Sequence, residues 1–185
     1  MSRPRWPLRL ALTFLLLSWP VIASTGAAAA VPVAVQLVLA VDVSGSVDQT
    51  RFKLQRKGYA AAFRSAAVQQ AIRSTVTGSI AVAMLQWTGP ALHVVVVDWT
   101  LLDDAVSAER FADAIARAPR ALFSGGTSIS GAIDYALAMF PKSPYVAPHQ
   151  VIDVSGDGAN NRGRPAEDAR DEATRQAWWS TACPF

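Results

Sequence analysis

Hydrophobic positions along this chain follow two periods. Leu37-Val38-Leu39-Ala40-Val41 and Val151-Ile152-Asp153-Val154 are short apolar, β-branched runs bounded by Gly and Ser. Such runs predict strands buried on both faces of a parallel sheet, here Val35 to Val41 and Gln150 to Val154. Gly78 to Trp87 and Ala91 to Trp99 are two more apolar runs, separated by Thr88-Gly89-Pro90. They predict a hairpin or two neighbouring strands. Between the runs the period changes to that of a helix. Asp48 to Arg73 predicts one long helix, with Phe52, Tyr59, Phe63 and Ala67 inward and Arg51, Lys53, Gln55 and Lys57 outward. Ala105 to Ala118 predicts a second, with Phe111 and Ile115 one turn apart. A third carries Ile129, Ile133 and Leu137, and Pro165 opens a charged fourth from Ala166 to Gln176. Strands alternating with helices imply a doubly wound α/β fold, a mostly parallel sheet with helices on both faces.

Residues 1–30 stand apart from this pattern. Arg3, Arg5 and Arg9 flank the apolar stretch Leu10 to Leu17, and small residues follow from Ala23 to Ala30. This is the layout of a secretory signal peptide, cleaved after Ala23 or between Ala27 and Ala30, and it places the mature chain in the periplasm or outside the cell. A membrane anchor needs about 20 apolar residues, and Trp19-Pro20 interrupts this stretch early. With the segment gone, three arginines and no acids leave, and the formal charge falls from +3 to zero. No basic stripe remains for nucleic acid. Cys183 is the only cysteine, which excludes an internal disulfide and a cysteine zinc cluster.

Three polar clusters sit at the ends of the predicted elements: Asp42-Val43-Ser44-Gly45-Ser46, Gly125-Gly126-Thr127-Ser128, and Ser155-Gly156-Asp157-Gly158. In open α/β sheets, ligand groups gather beyond the carboxyl ends of the strands. The two carboxylates of Asp42 and Asp157 and the three hydroxyls of Ser44, Ser46 and Thr127 suit a hard divalent cation, Mg²⁺ before Zn²⁺. Taken singly, Asp42, Ser44 or Ser46 could equally cap the first helix. Asp153 to Gly158 imitates the start of an EF-hand loop, but Arg164 stands at the twelfth position where Glu is needed. An enzyme has less support. His93 and His149 are the only histidines, and neither a Gly-x-Ser-x-Gly elbow nor a phosphate-binding glycine loop is present.

In this order and on these elements, Asp42-Val43-Ser44-Gly45-Ser46, Thr127 and Asp157 resemble the von Willebrand factor type A domain, and more closely an uncharacterised, domain-of-unknown-function branch of exported bacterial proteins with that fold. The resemblance covers Gln36 to Gln176 and implies a metal-ion-dependent adhesion site. It implies Ser44, Ser46 and Thr127 as direct ligands of Mg²⁺, with Mn²⁺ or Ca²⁺ as alternatives, and Asp42 and Asp157 acting through water. A carboxylate from an Asp or Glu of a protein partner completes the ion's coordination in that family. Asn160 and Asn161, and Asp153 within its strand, are expected to support the site at most. The implied function is ion-mediated protein binding without catalysis. The alternatives are a structural or assembly module whose ion stiffens the loops, and an inert fragment.

That last alternative arises at the carboxyl end. The resemblance leads to further strands, whereas residues 177–185 run Ala-Trp-Trp-Ser-Thr-Ala-Cys-Pro-Phe. Trp is encoded only by TGG, and TGG-TGG-TCN read one base earlier contains Val-Val, the start of a plausible next strand. We expect an out-of-frame tail after residue 176, an exposed edge at Val151-Ile152, and a marginally stable product. Resequencing the DNA across codon 177 tests this, and a cooperative melt of the soluble mature chain would contradict the instability.

Overall fold

A computed structural model describes residues 29–122 and 124–182. Most of the expected export segment and Cys183 therefore lie outside the described residues. Strand β1 (Val31–Pro32) is followed by β2 (Val35–Asp42), α1 (Gln49–Arg64), α2 (Ala66–Arg73), β3 (Ile80–Trp87) and β4 (His93–Leu102). Then come α3 (Ala105–Arg117), α4 (Ile129–Leu137), a 3-10 turn at Phe140–Lys142, β5 (Tyr145–Val146), β6 (His149–Ser155) and α5 (Ala166–Ala182).

Four strands form the main sheet in the order β4-β3-β2-β6. The central β2 runs parallel to both neighbours, pairing Leu39 with Met84 on one side and with Asp153 on the other. β3 and β4 form the antiparallel hairpin. The doubly wound α/β expectation therefore holds. The small parallel pair β1–β5, two residues on each strand, was not legible in the Pro-marked connection from Pro141 to Pro148.

The expected single helix from Asp48 to Arg73 is two helices. Ser65 is extended (φ −71°, ψ 139°), its hydroxyl accepting from Val68 N and donating to Ala62 O. A serine that satisfies both helix ends makes the break without Gly or Pro. Beyond the break the helix turns, and Ala67, expected inward, is exposed. At the other end of the chain, α5 continues to Ala182, past the expected end at Gln176.

Side chains alternate across the sheet into two cores. Leu39, Val82 and Met84 pack under α1 and α3, where Phe63 meets Phe111 edge to face at 4.8 Å. Val38, Ala40, Leu85 and Trp87 pack under α4 with Ala132, Ala136 and Phe140, and Trp99 lies 5.9 Å from Phe140. Over β6 this second face opens. A groove of about 610 Å³ runs between α4 and α5, floored by Ile152 and Val154. Among the described residues β6 pairs only with β2, and Val151 is 43% exposed. No described helix is long and apolar enough to cross a membrane.

Candidate metal centre

All five residues singled out from the sequence meet beyond the carboxyl ends of β2 and β6. Asp42 closes β2 and is fully buried. The chain turns sharply after it, so that Ser44 N donates to Asp42 Oδ1 at 2.7 Å and Val47 N to Ser44 O at 3.1 Å. Val43 and Val47 point the other way, into a small core with Phe52, and anchor the loop. Arg120 fastens its outer side, donating to Val43 O at 2.9 Å and Ser44 O at 3.0 Å. Asp48, not Asp42 or either serine, caps α1 by accepting from Arg51 N. The capping alternative for the three site residues is thereby removed.

From Asp42 the polar groups form a connected line. Ser44 Oγ lies 3.1 Å from Ser46 Oγ, and Ser46 Oγ donates to Asp157 Oδ1 at 2.8 Å. Thr127 Oγ1, buried, donates to Ser44 Oγ at 3.5 Å. The Ser46 hydroxyl, and after it the Arg51 guanidinium, hold Asp157 below the ordinary carboxylate range, so it is charged at neutral pH. Asp42 Oδ2 differs from the rest: it is buried and has no hydrogen-bond partner among the described residues. Gly156 leaves room beside it, where a Cβ would come within 3.1 Å of that oxygen.

Asn160 and Asn161 support the site, the role expected of them. Asn161 Oδ1 accepts from Thr127 N at 2.9 Å, while Asn161 N and Arg162 N donate back to Thr127 O. Asn160 Oδ1 accepts from Ile129 N at 2.8 Å, and its Nδ2 donates to Arg164 O at 2.9 Å. The two asparagines thus clamp the Thr127 loop and the start of α4 onto the loop that carries Asp157. Gly125 permits the turn into this clamp: its φ is +118°, and a Cβ there would lie 2.7 Å from Thr88 Oγ1. Arg51 is exposed, as expected, and its Nη1 also donates to Asp157 Oδ2 at 2.6 Å. Asp153 stands away from the cluster and accepts from Tyr59 OH at 3.0 Å.

Chemically this is an oxygen-only site. Among the described residues no group of three or more His, Cys, Asp and Glu side chains could hold a metal ion, and the oxygens gathered here are two carboxylates and three hydroxyls. A buried carboxylate oxygen lacking a partner costs on the order of 1–3 kcal/mol unless something satisfies it. A hard cation, with its water, is the partner such a donor set fits.

A family model described as "Protein of unknown function (DUF1194)" matches residues 32–179. No curated protein matches the chain. Among solved structures, proximal thread matrix protein 1 from the mussel byssus is similar with a TM-score of 0.58 at 14% identity, over 80% of this chain and 36% of that one. A von Willebrand factor type A protein from Catenulispora acidiphila has a TM-score of 0.50 at 24% identity, over 77% of this chain and 31% of that one. The chain thus spans about a third of each of these solved chains, and the likeness is one of fold: a von Willebrand factor A-like α/β sheet.

Proposed function

The chain belongs to the DUF1194 family, whose function is unknown, and we propose that it is an exported domain that binds a divalent cation, Mg²⁺ first, and through it an acidic group of a protein partner. The observation that carries the proposal is Asp42 Oδ2, buried with no partner among the described residues, on a residue bonded to the Ser44 loop that gathers three hydroxyls and a second carboxylate. Ser44, Ser46 and Thr127 would offer oxygens directly, and Asp42 and Asp157 would balance the charge and orient water. A bound ion would supply a Lewis-acidic position for an incoming carboxylate. Few direct anionic ligands keep it electrophilic, so an Asp or Glu of the partner completes the set. The role is binding without turnover. Export rests on residues 1–30, whose arginines, apolar stretch and small residues read as a signal peptide.

An ion that only stiffens the loops is the weaker reading. Arg120, Asn160 and Asn161 already fasten those loops through hydrogen bonds that need no metal.

Calorimetric titration of the purified chain with MgCl₂ tests the first step. We expect one ion per chain, a rise in melting temperature with Mg²⁺, and loss of both in Asp42→Asn. That variant keeps the acceptor for Ser44 N and should fold. Absence of Mg²⁺, Mn²⁺ and Ca²⁺ binding to the folded wild-type chain would overturn the proposal. A partner recovered in Mg²⁺ whose binding ignores EDTA would overturn its second half.

A further inference from the structure

We infer that Arg51 is a tethered cation that competes with the divalent ion for Asp157, so that filling the site and releasing Arg51 are one event. The inference rests on the ion-binding reading above and concerns how that site is regulated.

The two site carboxylates are served unequally. Asp42 keeps one buried oxygen without a partner, whereas both oxygens of Asp157 are taken, Oδ1 by the Ser46 hydroxyl at 2.8 Å and Oδ2 by Arg51 Nη1 at 2.6 Å. The guanidinium therefore occupies one side of the carboxylate that an ion bound at Ser46 would address. Its position is built in. Arg51 lies in the first turn of α1, and its own backbone N–H is held by the Asp48 cap at 2.8 Å. That cap joins the helix to the loop that carries Ser44 and Ser46. Helical side chains lean toward the amino end of their helix, so a long residue in the first turn reaches back over the site.

Charge and exposure make the contact reversible. The guanidinium meets the carboxylate through one contact, Nη1 to Oδ2, while Oδ1 is taken by Ser46. With Arg51 in place, the Asp157 carboxylate already has a cation beside it. A divalent ion entering beside Asp157 repels that guanidinium and takes over its carboxylate partner. The Arg51 side chain is 60% exposed and that of Asp157 is 21% exposed, so the arginine can withdraw into water without unpacking the core. An exposed ion pair of this kind is weak, which suits a competitor that an ion must displace.

Calorimetric titration with Mg²⁺ alone of wild type, Arg51→Gln and Arg51→Lys tests this. Neither change touches the Asp48 cap, which uses the backbone of residue 51, and circular dichroism checks the fold of each. We expect Arg51→Gln to bind Mg²⁺ roughly twofold to fivefold more tightly than wild type, the difference shrinking at high salt. Arg51→Lys, which keeps the charge on a shorter side chain, should fall between them. In wild type, the side-chain N–H resonances of Arg51 should shift as Mg²⁺ saturates. Mg²⁺ binding by Arg51→Gln equal to or weaker than wild type would overturn the role of Arg51 and leave the metal site standing. No Mg²⁺ binding by either protein would overturn the metal site itself.

Discussion

The two faces of the sheet are covered by helices, yet they are closed to different degrees. On the α1–α3 face, Leu39, Val82, Met84, Phe63, Phe111 and Ile115 are all buried, and Arg64 bridges the two helices to Glu109 and Asp113. On the α4–α5 face, the half over β2 and β3 is equally dense, with Trp87 fully buried. The half over β6 is not: Ile152 and Val154 are only partly buried and floor the open groove. Hydrophobic stabilisation follows the apolar area withdrawn from water, so it is concentrated at β2 and β3 and thins toward β6. The candidate centre lies where the two regimes meet. Its Ser44–Ser46 loop is anchored by buried Val43 and Val47, but its Asp157 loop is anchored by the hydrogen bonds of Asn160 and Asn161.

The largest expected effect comes from the closed face. Phe111→Ala removes a fully buried ring that meets Phe63 edge to face, and should cost about 3–5 kcal/mol in urea unfolding. Ile152→Ala, on the open face, removes a side chain already partly in water, and should cost about 1–2 kcal/mol, below the range for fully buried sites. The pair tests the comparison directly. Equal costs would mean that the groove over β6 is filled in solution, and the contrast between the faces would collapse.

The contrast also separates what the residues reveal in order from what only folding reveals. The strands around Leu39 and Ile152 and the helix of Ile129, Ile133 and Leu137 were legible because burial on a strand or a helix imposes a period. The site was legible for a related reason: the Asp42 to Ser46 spacing is local, and strand ends bring distant clusters together. The contact of Arg51 with Asp157 was not legible because a helical period gives the direction of Cβ, not the reach of a long side chain back along the axis. The detail of the Asn160–Asn161 clamp was hidden because it acts on backbone groups some thirty residues away, at Thr127 and Ile129, and leaves no periodic trace. At Ser65 the break depends on one hydroxyl serving two helix ends, in a stretch whose neighbours favour continuing the helix.

The smallest expected effect tests a polar tie between α1 and the thinly covered β6. Tyr59 OH donates to Asp153 Oδ2 at 3.0 Å, and Tyr59→Phe should cost about 0.5–1.5 kcal/mol, the ordinary worth of such a bond. Its pH dependence identifies it. Burial, reinforced by the charge of Asp153 and opposed by Ser155, pushes the Tyr59 phenol from 10.0 up to about 12. Below pH 10 the phenol is neutral in folded and unfolded chains alike, and its contribution is whole. Between 10 and about 12 only the unfolded chain releases the proton, so the folded state binds more protons and stability falls as pH rises. Urea melts from pH 9 to 11.5 should show a steeper alkaline loss in wild type than in Tyr59→Phe, and the folded protein's phenolate absorbance should retain one late-titrating tyrosine. Identical alkaline slopes for the two proteins would show that β6 is not tied to α1 through this side chain. The groove side of β6 would then be all that holds the strand from either face, and the difference between the two faces would be larger than the packing alone suggests.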